Sequence, residues 1–347
     1  MPADPTQLKK VKEWGTSNIL FSMVRLPNSA RLFFGSSDFK VYEVDTAAEK
    51  MQPVALGGEG HQSYVTGMAL AGRFVVSGSY DGRLIWWDAE KKEQVRAVDA
   101  HKRWIRGVIA TPDGTKIVSV ADDMVAKLWD AQSGHLLHTL VDHKPLTPHH
   151  YPSMLYAAAF SSDGRFLATA DKVGHIVIWE TGSGKKLAEL EAPRMYTWDP
   201  KQRRHSIGGI RSVAFSHDSK IVAVGGIGKI NNIDHLDGPS RVVLFDWQAG
   251  KKLRTIEDSK FKGLVEQIVF HESGDWFLAA GGDHNGFLMF YSTSDGKIIK
   301  QEKAPMHVHE FAADESFETL YAVGHGKIAV WNLSAKNDGP VEAPVPA

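Results

Sequence analysis

Apolar and polar positions along the chain follow one short grammar, used again and again. In "LYAAAFSSDGRFLATADKVGHIVIWETGSG" (155–184), an apolar run meets the polar turn "SSDG" and a second run ends in small residues. A third run then closes on an aromatic, a polar residue and a turn. The same order returns in "HKRWIRGVIATPDGTKIVSVADDMVAKLWDAQSG" (101–134) and in "IRSVAFSHDSKIVAVGG" (210–226). Short apolar runs broken by Asp-Gly turns predict β-strands joined as hairpins. A fourth short strand leads into each next unit, as in "EQVRAVDAH", "HLLHTLVDH", "KKLAELEAP", "KKLRTIEDS" and "KIIKQEKAP". Third-strand ends fall at "VYEVD" (41–45), "IWWD" (85–88), "KLWD" (127–130), "VIWE" (177–180), "VLFD" (243–246), "MFYS" (289–292) and "AVWN" (329–332), which counts seven units.

A period of about forty residues marks a repeat architecture, and four strands per unit make a propeller blade. From about Gln7 to Leu333 the chain resembles the WD-repeat (WD40) β-propellers. The resemblance implies an all-β, seven-bladed propeller with four-stranded antiparallel blades, and a buried Asp-His-Ser-Trp hydrogen-bond tetrad in individual blades. The second blade carries that tetrad on His61, Ser77, Asp81 and Trp87, the third on His101, Ser119, Asp123 and Trp129. Imidazole bridges a carboxylate and a hydroxyl while the indole N–H finds an acceptor, so these polar groups satisfy one another and read as structural. The fourth blade keeps Thr169 and Trp179 but has Val173 where the Asp falls. At the Trp position the fifth has Phe245, the sixth Tyr291 and the first Val44. Those blades are expected to rely on apolar packing.

An open sheet edge invites aggregation, so the ring is expected to close. The seventh unit stops at "KIAVWNL", and residues 6–14, within "TQLKKVKEW", supply the missing strand in this reading. Residues 1–335 then form a single domain, and the Pro-rich polar tail 336–347 reads as disordered.

Three segments exceed the period: "DHKPLTPHHYPSM" (142–154), "RMYTWDPKQRRHSIGG" (194–209, within an insertion spanning 191–208) and "GGIGKINNIDHLDGPSR" (225–241). Blade-to-blade connections and second-to-third-strand turns emerge on one face, so all three crowd over the fourth and fifth blades. They bring Tyr151, Tyr196, Trp198, Arg203 and Arg204, types enriched at interface hot spots, with His149, His150, His205 and His235. Two readings stay open: a partner-binding surface, or a cap that buries its own aromatics. Nearer the axis, Tyr64, Trp104, Arg106, Tyr156, Arg211, His307 and His309 begin the innermost strands. In the family this surface commonly receives peptides or partner proteins, which is what the resemblance implies here. Trp104 and Arg106 offer stacking and carboxylate pairing, or Trp104 packs between blades.

Composition narrows the chemistry. The 347 residues are 43% hydrophobic and 23% charged, with no cysteine. A thiolate nucleophile and Cys-ligated zinc are thereby excluded. A net charge of -1 gives no global attraction to phosphate backbones. Locally basic "DPKQRRH" beside Tyr196 and Trp198 has the makings of a single-strand site, but a solvated loop is the commoner meaning, and nucleic acid is not the expected partner. No apolar run is long enough to span a membrane. The opening residues lack a secretory h-region, which favours a cytoplasmic setting. "GGIGKI" fails as a phosphate loop because Ala223 and Ile230 occupy its key positions. The expected function is a non-enzymatic scaffold binding a protein or peptide partner, with no cofactor. The alternative is a metal-dependent, lactonase-like hydrolase using His149, His150, His307 and His309.

Overall fold

The computed structural model describes residues 3–334, and the tail read as disordered lies outside them. Apart from one 3-10 turn, Pro5–Gln7, every regular element is a β-strand. Side-chain burial explains the strand sequences. Second strands such as Lys116–Ala121 and third strands such as His175–Glu180 are buried over most of their length, because blades stack face to face. They therefore read as near-continuous apolar runs. Fourth strands, such as Leu136–Val141, face solvent on the rim and are largely exposed.

Five blades are four-stranded and antiparallel. Blade 2 comprises Val65–Ala71, Phe74–Ser79, Arg83–Asp88 and Glu93–Asp99; blade 3 runs from Ile105 to Val141, blade 4 from Leu155 to Glu191, blade 5 from Ser212 to Lys262 and blade 6 from Leu264 to Ala304. The seven separate blades expected from the repeat count are not found; there are six. The first and last units share a single six-stranded sheet, blade 1, ordered Val308–Ala313, Thr319–Asn332, Lys9–Arg25, Arg31–Ser36, Val41–Asp45, Val54–Ala55. The cause is one long strand. Lys9–Arg25 pairs through Lys9–Gly15 with Thr319–Asn332, and through Leu20–Arg25 with Arg31–Ser36, so two units become one sheet. Repeat counting sees seven third-strand ends but not that continuity.

Toward the axis the strands converge, and side chains shrink. A Cβ on Gly67 would stand 2.6 Å from the backbone nitrogen of Val108 in the next blade. A glycine is required by that approach. Turns are set by local polar groups: in "TPDG", Asp113 accepts from the Thr111 hydroxyl at 2.5 Å and the Thr115 amide at 3.0 Å, while Gly114 takes φ +67°. Those bonds hold the Asp113 carboxyl down at about 2.

Candidate functional site: a channel rim and its cap

The tetrads come first because they fix the turns that surround the channel. In blade 2 the Trp87 indole N–H donates to Ser77 Oγ at 2.8 Å, Ser77 bonds His61 Nε2 at 2.7 Å, and His61 Nδ1 lies 3.0 Å from Asp81. Since Ser77 receives the indole proton, its own goes to Nε2, which leaves the imidazole proton on Nδ1 facing the carboxylate. Blade 3 repeats this with Trp129, Ser119, His101 and Asp123 at 2.9, 2.7 and 3.1 Å. Burial works to raise the Asp81 and Asp123 carboxyls, but the histidine hydrogen bond and charge together with two backbone amides outweigh it and hold both low.

Blade 4 departs from its expected apolar packing. Trp179 donates to Thr169 at 2.9 Å, Thr169 bonds His143 Nε2 at 2.8 Å, and His143 Nδ1 meets Asp171 at 3.0 Å. The network is complete, with its acid two positions before Val173. Phe245, Tyr291 and Val44 are buried apolar replacements.

Side chains at the start of the first strands and the end of the second strands ring the channel, a cavity of about 680 Å³. One arc is aromatic. Phe21 and Phe39 flank Tyr64 with centroids 5.4 and 5.7 Å away; Tyr64 meets Tyr80 at 5.8 Å, and Tyr80 stacks on Trp104 at 4.5 Å and 5°. Trp104 is 50% exposed and Tyr64 41%. The next arc is cationic. Arg106 lies over Tyr80 and Tyr156 and forms a bidentate pair with Asp122 at 2.8 and 2.7 Å. Arg211 sits 3.6 Å over the Tyr156 ring. Lys172 is buried beside them; burial, then the charges of Arg211 and Arg106, push its amine down to about 8. The third arc holds His307, His309 and His325, with His307 bonded to Glu266 at 3.2 Å.

The three long segments meet as a cap beside this rim. Tyr196–Asp199 and His205–Gly208 form a hairpin of their own. His149 stacks on Trp198 at 3.5 Å and bonds the Tyr196 hydroxyl at 2.7 Å; Tyr151 donates to the Asp199 carbonyl at 3.0 Å. Arg203 pairs with Asp234 at 2.5 Å, the Ile230 amide donates to Thr197, and Ile227, Ile230 and Leu264 form a small apolar cluster underneath. Arg204 is exposed with φ 53°. Lys172 joins cap to rim by donating to the Ser206 carbonyl at 3.0 Å.

Buried Trp-centred tetrads repeated across consecutive four-stranded blades agree with what comparison finds: the family model "WD domain, G-beta repeat" matches residues 55–88, 92–130 and 134–180. Residues 55–180 thus carry repeats of the WD-repeat family. It is 28% identical over 258 residues to telomerase protein component 1 of Mus musculus, an alignment covering 74% of this WD-repeat chain but 8% of that protein. It is 31% identical over 160 residues to apoptotic protease-activating factor 1 of Rattus norvegicus, covering 46% of this chain and 12% of the relative. Nuclear distribution protein PAC1 of Coccidioides posadasii (strain C735) is 29% identical over 132 residues, 34% of this chain and 28% of the relative. The WD-repeat chain thus spans a small part of the curated relatives it matches.

The histidine set of the hydrolase alternative is not assembled. His149 is committed to Trp198 in the cap, and the imidazoles that meet at the rim are His307, His309 and His325, of which the last lies within the strand Thr319–Asn332 and is not among the residues the repeat pattern singles out. Tyr80, Asp122 and Lys172 were also passed over. They carry a periodic signal, each standing three residues after a tetrad hydroxyl at Ser77, Ser119 or Thr169. Among the described residues of this WD-repeat protein, no helix is long and apolar enough to cross a membrane.

Glu310, half-buried against the channel, makes a pH test. Burial pushes its carboxyl up to about 8, while the Met23 amide at 2.6 Å opposes the rise. The folded state keeps this proton up to about pH 8, whereas an unfolded glutamate loses it near its ordinary value of 4.5. Its contribution is therefore fully present below pH 4.5 and is lost as pH rises toward 8. Allowing for water in the channel, Glu310→Gln should gain about 2 kcal/mol on wild type between pH 5 and pH 8. Urea midpoints of both proteins at the two pH values check this, and parallel profiles would refute it.

Proposed function

We propose that the protein is a non-enzymatic binding platform whose main site is the channel rim, and that it takes a peptide or protein segment carrying an acidic side chain next to an apolar one. One observation carries this reading: exposed Trp104 and Tyr64 lie on the same rim as three cations, Arg106, Arg211 and Lys172, of which, among the described residues, only Arg106 has a carboxylate partner, Asp122. Half-exposed aromatics provide apolar contact area at small entropic cost, and guanidinium groups on a rigid scaffold pair carboxylates. A ligand carboxylate would relieve the like-charge crowding that depresses Lys172.

The cap has a supporting part in this proposal. Tyr196, Trp198 and Arg203 spend their side chains on His149 and Asp234, so they hold the cap together beside the site, with Arg204 at its outer edge. A random peptide library panned against the full chain should return sequences with Asp or Glu beside an aromatic or aliphatic residue. Trp104→Ala should weaken a selected peptide about 30-fold, the effect of losing a hot spot worth about 2 kcal/mol, with the melting temperature unchanged. Trp198→Ala should do the reverse, lowering the melting temperature while sparing the peptide. Equal binding by wild type and Trp104→Ala would remove the rim from consideration.

A further inference from the structure

We propose that His307, His309 and His325 form a binding site for a divalent transition-metal ion of the zinc class. His307 and His309 are two apart at the start of the innermost strand Val308–Ala313, so their rings fall on one side of it, stacked at 4.5 Å. His325 lies across from them, its amide bonded to the His307 carbonyl at 3.2 Å, with its ring 5.0 and 4.8 Å from the other two. One nitrogen from each ring falls within 4.8 Å of the others.

Two further features favour a cation over mere ring stacking. His309 Nε2 is buried and has no hydrogen-bond partner among the described residues. A buried orphan of that kind calls for an explanation such as an ion. His307 is held through Nε2 by Glu266, as the carboxylates behind metal-bound imidazoles orient their histidines. The other convergent donor set, Asp142, His175 and Glu189, already has its cation: the Lys186 ammonium contacts both acids.

Nitrogen ligands select Zn²⁺ and its neighbours over Mg²⁺ or Ca²⁺. Zinc–nitrogen bonds of about 2.0–2.1 Å need the donors somewhat closer than they stand, a closure that exposed His325 supplies by side-chain rotation. Three protein ligands leave one position to solvent. The ion would fasten Val308–Ala313 to Thr319–Asn332, inside the sheet where both ends of the propeller meet.

The test uses the untagged full chain, stripped with chelator and titrated with Co²⁺, whose tetrahedral complexes absorb visible light far more strongly than the octahedral aquo ion. We expect one equivalent of tetrahedral Co²⁺, displaced by Zn²⁺, and a melting temperature raised by Zn²⁺. His325→Ala should fold normally and bind at least about tenfold more weakly, whereas His175→Ala should bind like wild type. Only octahedral Co²⁺, or a stoichiometry that survives both His325→Ala and His309→Ala, overturns the site. The readout is independent of peptide binding, so it can fail without touching the proposal for the rim.

Discussion

Removal of residues 3–15 is expected to cost the protein its folded, monomeric state. Lys9–Gly15 is the outer pairing partner of Thr319–Asn332, and Leu8 and Ala3 are buried in the cluster that contains Trp331 and Leu333. Loss of the segment takes Leu8 out of the core and uncovers Trp331, Leu333 and their large neighbours, each worth about 1.5–3 kcal/mol of burial, and opens a strand edge suited to intermolecular pairing. With three or four such groups uncovered, the sum rivals the roughly 5–15 kcal/mol by which a domain is stable. Size-exclusion chromatography and thermal melting of a chain beginning at Thr16 check this. A monomer melting within a few degrees of wild type would show that the sheet holds without its terminal strand.

The second large effect is expected at Asp171. Its carboxylate is almost wholly buried and accepts from His143 Nδ1, from the Val173 amide at 3.0 Å and from the His175 amide at 3.1 Å. Asp171→Ala leaves the buried His143 and two partly buried amides without an acceptor, a loss of about 3–5 kcal/mol. Asp123→Ala strands His101 in the same way, but its carboxylate is 15% exposed and water replaces part of what is lost. We expect about 1–3 kcal/mol there. Val173→Ala, at the position the repeat pattern assigns to the acid, should stay near 0.5 kcal/mol. Urea midpoints rank the three, and Val173→Ala as costly as Asp171→Ala would mean the network is misplaced.

Asp171 also shows where a linear reading runs out. In blades 2 and 3 the tetrad histidine stands four residues ahead of the first strand, at His61 before Val65 and His101 before Ile105. In blade 4 residues 144–154 of the long segment fall between His143 and Leu155, and the acid comes from the strand end instead of the turn. Periodicity finds residues at fixed offsets. A hydrogen-bond network needs only that the polar atoms arrive at the same point, which a shorter path satisfies equally. Strand identity and the intact tetrads were legible because alternating burial and Asp-Gly turns are local properties. The merging of first and last units was not, since it depends on whether one strand continues straight through residues 15–19, which no hydrophobic pattern records. At the rim, Trp104, Arg106 and Arg211 announce themselves by type. Tyr80 and Lys172 sit in turns and His325 in the middle of the last strand, and only the ring geometry brings them in.

The long strand Lys9–Arg25 has a consequence for how the protein is made. Its first residues pair with residues near 330, so on the ribosome they emerge long before their partner exists. At roughly 5–20 residues per second the wait is on the order of 15–60 s. Throughout that time an unpaired edge is open to neighbouring nascent chains. The sequence of that edge, "KKVKEW", places three lysines where a dry, apolar strand would be hazardous, and like charges on exposed edges discourage pairing between copies. Like charge on those lysines works against pairing between copies while the strand waits, before Lys12 reaches the Thr46 carbonyl and Lys10 pairs with Glu13 in the finished ring.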